Sequence, residues 1–266
     1  MAEYSFNPGA FPLVVAHRGA SSTEPENTLA SFQAALALGA PVLELDLRLS
    51  ADGIPVVLHD PDLSRTTDGS GWVHELAFDQ IQAANAGTAD RLERIPAFRT
   101  VLEAVSGRGG LAVEIKNIPG EPAYDDEREA IVGAALAEVR ASAFQGPVLI
   151  ISFNPRSIAA SKRLAPTLPT GFLSTRAVDP DTALDHVLDG GHEFVFPGYR
   201  ALLPVGSAFV ERAHRAGVRV GTWTVDDREI FGRLLDWGVD AVATNDPAMG
   251  LEVRTARTGS GGRSGG

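Results

Sequence analysis

The chain has no cysteine among its 266 residues, which excludes disulfides and thiolate metal sites alike and agrees with a reducing, cytoplasmic setting. Basic residues are the minority charge: 23 Lys and Arg against 34 Asp and Glu leave a net charge of −11. A surface of that sign repels nucleic acid, whose phosphates have to be neutralised by clustered Lys and Arg. Nucleic acid is therefore not an expected partner, and any phosphoester handled here is expected to be small. No run approaches the roughly 18 consecutive apolar residues of a membrane span, so no stable membrane insertion is expected. Residues 1–11 lack the basic start and apolar stretch of a secretory signal. Residues 254–266 are Gly, Ser, Thr and Arg apart from Ala256, with almost nothing to bury, and they read as a disordered tail outside the fold.

What is present suits a large α/β domain. Hydrophobic residues make up 44% of the chain, enough for a substantial core at this length. Short β-branched runs fall at 13–16, 42–47, 111–116, 148–152, 171–174, 194–196, 219–225 and 240–244, eight in all. Between them lie segments of helical period at 28–38, 98–105, 126–141, 155–164, 180–188, 207–216 and 227–237. Several end at a glycine, as at Gly39, Gly190, Gly217 and Gly238, the usual C-terminal punctuation. Near-continuous apolar strands, each followed by a helix, imply a parallel sheet covered by helices. Eight of them favour a closed (β/α)8 TIM barrel over an open sheet. The repeat is interrupted between Ser50 and Gly110, where 54–58 reads as an extra strand and 61–94 as polar and irregular. The expectation is a single barrel domain over 1–253, with a small insertion after the second strand, at about 50–110, standing over the mouth.

The chemistry concentrates in His17-Arg18-Gly19, Pro25-Glu26-Asn27-Thr28, Glu44-Leu45-Asp46 and His59-Asp60. His17 and Arg18 end the first strand, where barrel enzymes place their catalytic groups. Glu44 and Asp46 are two apart on the second strand and so share a face. The leucines at 43, 45 and 47 claim the helix-packed face, which turns both acids into the barrel. Glu114 and Lys116 repeat the pattern on the third strand, with Ala112 on the same face. Buried charges have to be paired or bind metal, and three carboxylates form a hard oxygen site suited to one divalent ion, Mg2+ or Ca2+. His17 and His59 flank turns and read as a functional pair, whereas His74, His186, His192 and His214 read as ordinary.

The blocks HRGASSTEPENT, ELDLRLSADGIPVVLHDPDLSRTTDGSG, VEIK and GTWTVDD together resemble the glycerophosphodiester phosphodiesterase family, from about Pro12 to Met249. The first two blocks are specific; the last two are short but fall in the family's order. The resemblance implies a metal-dependent enzyme that hydrolyses glycerophosphodiesters to glycerol 3-phosphate and an alcohol. It implies His17 and His59 as the general acid–base pair and Glu44, Asp46 and Glu114 as metal ligands. Arg18 and Lys116 match phosphate contacts, and Trp223 matches an aromatic beside the alcohol. Phe153, ending the fourth strand, is expected to line the same pocket, and Glu26 to order the loop and Arg18. The family often has Asn where this chain has Asp226, a difference at the rim. Two alternatives stay open. One is a lysophospholipase D or phospholipase D-like action on lysophospholipids, which needs an apolar lip, and the insertion offers only Trp72, Leu76 and Phe78 for it. The other is a non-catalytic phosphate-binding barrel. The residues do not fix the preferred alcohol, the metal or the oligomeric state.

Overall fold

In the computed structural model, which describes Phe6 and residues 11–260, eight parallel strands close into a barrel. They are β1 (Leu13–Ala16), β2 (Val42–Leu49), β4 (Gly110–Ile115), β5 (Val148–Ser152), β6 (Thr170–Ser174), β7 (Phe194–Pro197), β8 (Arg219–Thr222) and β9 (Ala241–Thr244). The ring closes through β1, which pairs with β9 at Val14↔Val242 and with β2 at Ala16↔Leu43. A short strand, β3 (Pro55–Val57), lies antiparallel on the far half of β2, with Leu47↔Val57 in register. The helices are α1 (Leu29–Ala37), α2 (Phe78–Ala83), α3 (Phe98–Val105), α4 (Ala130–Ala141), α5 (Pro155–Leu164), α6 (Pro180–Gly190), α7 (Tyr199–Arg215), α8 (Arg228–Asp236) and α9 (Pro247–Ser260).

Side-chain alternation on the strands divides the core into two layers. Leu43, Leu45 and Leu47 of β2 and Leu111, Val113 and Ile115 of β4 pack outward with Phe32, Phe98, Val101 and Leu102 of the helices. The inward set is apolar toward the N-terminal end of the strands, where Leu13, Val15, Val42, Phe194 and Ala241 meet. Phe196 needs room inside this closed ring, and Gly221 supplies it: a Cβ there would lie 2.0 Å from the Phe196 ring. Toward the C-terminal end the inward positions become charged, with Asp46 in register with Glu114 across β2 and β4.

Helix starts follow the chemistry of the residue ahead of them. Thr28, Asn154, Asp179 and Asp227 each accept a backbone N–H of the first turn of α1, α5, α6 and α8, which satisfies donors that the helix itself leaves open. Four elements depart from the sequence-based expectation, the first being β8, which ends at Thr222 rather than 225. The α4 helix begins at Ala130 rather than 126, because Asp125 accepts the N–H of Arg128 and Ala130 and Glu129 takes φ +50°. The α7 helix begins at Tyr199 instead of 207, with a break at Gly206, φ +63°, just after Pro204. The expected tail is corrected in part. Residues 254–260 continue α9, which is anchored by the buried Val253 and by Arg257 Nε donating to Asp236 Oδ1 at 2.8 Å. The rest of that expected tail, 261–266, lies outside the described residues.

The segment after β2 is more ordered than its polar composition suggests. It contains β3, a 3-10 turn at Val73–Glu75 and α2, around a small cluster that includes Val56, Leu63, Val73, Ile81 and Ile95. Among the described residues, no helix is long and apolar enough to cross a membrane.

Candidate active site

The turn after β1 is held in an uncommon backbone conformation. Arg18 has φ +56° and Gly19 φ +84°, and a non-glycine residue in this region persists only where its surroundings over-determine it. Here the Arg18 N–H donates to Glu44 Oε2 at 2.9 Å, and the Arg18 carbonyl accepts from Ser31 Oγ at 2.9 Å and Asn27 N at 3.1 Å. The turn thereby aims both His17 and the Arg18 guanidinium across the mouth of the barrel.

Three carboxylates from adjacent strands meet beneath it. Glu44, Asp46 and Glu114 are all buried, and one oxygen of each lies within 4.8 Å of the others. Two cations partly offset them. Lys116 Nζ donates to Glu114 Oε1 at 2.8 Å and lies 3.5 Å from Asp46 Oδ1. Arg18 Nε lies 3.1 Å from Asp46 Oδ2 without hydrogen-bond alignment, and Asn27 Nδ2 donates to that same oxygen at 2.9 Å. Glu44 Oε1 and Asp46 Oδ1 are buried with no hydrogen-bond partner. Burial, and then the charge of Asp46, push the Glu44 carboxyl up to about 8. Burial likewise raises Glu114, to about 7, against the pull of Lys116. Burial acts on Asp46 in the same sense, but Lys116, Arg18 and the two histidines outweigh it and hold Asp46 well below the usual carboxylate range. Two raised acids and two orphaned oxygens form a pocket short of positive charge, and its all-oxygen donor set fits a divalent cation such as Mg2+ or Ca2+.

Both histidines line the cavity beside this cluster. His17 Nδ1 is 2.7 Å from Asn245 Oδ1, and its Nε2 lies 3.9 Å from Glu44 Oε2. His59 Nδ1 is 2.5 Å from Asp60 Oδ1. In both, burial is the largest influence and lowers the imidazole from its ordinary value; for His17 the Arg18 charge adds to it, and for His59 the Asp46 charge opposes it. Each imidazole has Nδ1 engaged, which makes Nε2 the nitrogen available for chemistry.

Around the histidines runs a chain of ion pairs. Arg65 donates to Asp60 through Nε and Nη2 and to both oxygens of Glu26, and Glu26 Oε1 in turn accepts from Arg18 Nη1 at 3.0 Å. Burial opposes ionisation of Asp60, but Arg65 and His59 bring its carboxyl down to about 2. Glu26 thus contacts Arg18 as the sequence suggests. The sequence alone gives no place in the site to Arg65 or Asn245, marks Asn27 only as part of its block, and marks Asp226 only as a difference at the rim.

The polar cluster opens into a cavity of about 120 Å³ whose other wall is aromatic. Phe153 and Trp223 meet edge-on with ring centroids 5.1 Å apart, Trp223 Nε1 donates to Phe196 O at 3.0 Å, and Lys116 Nζ stands 5.9 Å from the Phe153 ring centre. Of the nine residues expected in the site, His17, Arg18, Glu44, His59, Glu114, Lys116, Phe153 and Trp223 line this one cavity, and Asp46 joins them through the carboxylate triad. His74, His186, His192 and His214 do not line this cavity.

Known proteins are similar to this chain over most of their length. A glycerophosphodiester phosphodiesterase from Caldanaerobacter subterraneus subsp. tengcongensis is 36% identical over 242 residues, covering 88% of this chain and 94% of the relative. A glycerophosphodiester phosphodiesterase from Bacillus subtilis is 31% identical, covering 91% and 86%. Among solved structures, a phosphodiesterase from Oleispira antarctica in complex with the product sn-glycerol-3-phosphate superposes with a TM-score of 0.82 at 28% identity, covering 92% of this chain and 98% of that one. Residues 17–249, from the first histidine of the cluster to the start of α9, match the model of the Glycerophosphoryl diester phosphodiesterase family. With barrel, cavity and whole-length similarity in agreement, the chain belongs to the glycerophosphoryl diester phosphodiesterase family of enzymes.

Proposed function

We propose that this chain hydrolyses small glycerophosphodiesters to glycerol 3-phosphate and an alcohol, with a divalent cation held by Glu44, Asp46 and Glu114 and with His17 and His59 as the acid–base pair. One observation carries the reading: two imidazoles, each engaged at Nδ1, line one cavity with a buried triad of carboxylates that two cations only partly offset. When bound, such a cation supplies Lewis acidity toward a phosphoryl oxygen. Arg18 and Lys116 offset charge that develops on the phosphoryl oxygens, in a site whose dipoles are fixed before the reaction. One imidazole removes the proton of the attacking hydroxyl or water through Nε2, and the other delivers a proton to the departing alkoxide. Phe153 and Trp223 exclude water and pack against the carbon skeleton of the substrate. The product of the Oleispira antarctica phosphodiesterase, sn-glycerol-3-phosphate, is the half-substrate this reading requires.

The rim favours a substrate without an acyl chain. Leu76 and Phe78 pack against the small core of the insertion, which leaves Trp72 and Leu92 as the exposed large apolar side chains among its described residues, too few for an acyl-chain lip. The test is product analysis with glycerophosphocholine, glycerophosphoethanolamine, glycerophosphoglycerol and lysophosphatidylcholine, each with Mg2+ and with Ca2+. Glycerol 3-phosphate should appear from the first three, and EDTA should abolish it. His17→Ala and His59→Ala should each lower kcat by about a hundredfold or more, the scale of a lost general acid or base. Near-normal turnover in both variants with cation binding intact overturns the acid–base assignment, and preferred cleavage of the lysolipid overturns the substrate class.

A further inference from the structure

The amide of Asn245 faces His17 on one side and Asp226 on the other. Its Oδ1 lies 2.7 Å from His17 Nδ1, and its Nδ2 lies 2.7 Å from Asp226 Oδ2. The second oxygen of Asp226 accepts the backbone N–H of Asn245 at 2.8 Å and the Thr244 hydroxyl at 3.0 Å. Asp226 is itself fixed to the barrel, because the preceding residue, Val225, donates its N–H to Ala243 O at 2.9 Å. A carboxylate only accepts hydrogen bonds. The Asn245 amide therefore has one orientation that satisfies both neighbours, with NH2 toward Asp226 and the carbonyl oxygen toward His17. A carbonyl oxygen in turn requires a proton on His17 Nδ1. Ser21 Oγ, 3.0 Å from Asn245 Oδ1 and 2.7 Å from the His17 carbonyl, closes the far side of the pair.

We propose that Asp226 and Asn245 are positioning residues that lock the tautomer of His17, so that Nδ1 keeps its proton throughout and Nε2 is the nitrogen that takes up and releases one. The proposal rests on the acid–base role of His17 given above and adds the device that sets it. The lock acts whether His17 works as base or as acid, because Asn245 Oδ1 accepts from Nδ1–H in the neutral ring and in the imidazolium alike. His59 is oriented differently, with a carboxylate, Asp60, directly on Nδ1. The two imidazoles thus have a neutral and a charged orienting partner respectively.

The isosteric change Asp226→Asn tests the chain of orientation. The new amide still has to accept the Asn245 backbone N–H through its oxygen, so its NH2 meets the NH2 of Asn245. Asn245 then turns over, presenting its own NH2 to His17 Nδ1 and moving the ring proton to Nε2. In the double variant Asp226→Asn/Asn245→Asp the direction is restored: the NH2 of the residue at 226 donates to the carboxylate at 245, which again accepts from Nδ1–H.

The experiment reads imidazole nitrogen shifts in 15N-histidine-labelled protein together with steady-state kinetics on glycerophosphocholine. Asp226→Asn should move the His17 proton from Nδ1 to Nε2 and lower kcat by about tenfold to a hundredfold, within the scale of lost proton transfer, with KM nearly unchanged. The double variant should return both the tautomer and most of the turnover. Retention of the Nδ1 proton in Asp226→Asn overturns the lock, as does a double variant no better than the single one. A tautomer that moves as expected with no change in kcat upholds the lock and instead overturns the acid–base role of His17.

Discussion

Arg65 donates to Glu26 and Asp60 at once, and these two carboxylates in turn hold Arg18 and His59. Its side chain is 46% exposed, so the net stabilisation from its ion pairs is small, on the order of 1 kcal/mol or less. Its contribution lies in orientation. Arg65→Ala should lower kcat on glycerophosphocholine by about tenfold, the scale seen when partners of a site's own residues are removed, while thermal unfolding shifts by no more than about 4 °C. A large loss of stability with unchanged kcat would make it a structural residue instead. At this scale the sequence is informative where the signal is local. Glu44 and Asp46 alternate with three leucines, so a period of two alone points them inward. Asn245 lies 228 positions from His17, and Arg65 lies 39 from Glu26. Nothing in the spacing of such residues reveals a contact that only barrel closure and the insertion bring about.

The same boundary between local and distant causes runs through the elements. Helices with a capping side chain, such as α5 after Asn154 and α6 after Asp179, begin where the sequence says. The α9 helix escaped notice because its apolar residues are sparse, yet Met249 and Val253, four apart, lie on one face and pack with α8. In the insertion the strand read at 54–58 is present as β3, whereas the order of 61–94 is hidden in the sequence because its few apolar residues, such as Leu63, Val73 and Ile81, are widely spaced and meet only in the folded cluster. One element sensitive to substitution is the turn between β1 and α1. A Cβ at Gly19 would lie 2.3 Å from Ser31 Oγ and 2.6 Å from the Ser31 backbone carbon, at φ +84°. Gly19→Ala combines overpacking, about 1–3 kcal/mol, with a left-handed conformation costing about 1–2 kcal/mol. Urea unfolding should show a loss of stability of that combined order at an unchanged slope, with turnover falling because Arg18 moves off Glu44. An unchanged urea midpoint would mean that α1 can retreat from the turn freely.

Closure of the ring is a property of the whole molecule, and it is what buries an acidic cluster inside the barrel. The consequence is a stability that depends on pH and on bound cation together. The Glu44 and Glu114 carboxyls, raised to about 8 and about 7 from an ordinary 4.5, hold protons in the folded chain that the unfolded chain has released. A raised folded-state value contributes stability that is present at low pH and lost as pH rises through that value. The opposing groups act elsewhere. His17, His59 and His192 are lowered from 6.5, His192 to about 4, and they favour the folded state less only as pH falls below 6.5. Asp46 is lowered from 3.8 and acts below that value. Between pH 6.5 and 8, therefore, the two glutamates set the slope. With EDTA present, Tm should fall across this window by on the order of a few degrees, given roughly 2–4 °C per kcal/mol for a chain of this size. A divalent cation binds the deprotonated carboxylates and so stabilises the fold most where they would otherwise repel. The rise in Tm produced by saturating Mg2+ or Ca2+ should accordingly grow from pH 6.5 to pH 8, and Glu44→Gln should flatten both curves. Scanning calorimetry at fixed ionic strength decides it: a cation shift independent of pH, or a chelated protein whose Tm rises across the window, would mean that these acids do not change charge there and that the cation is held elsewhere.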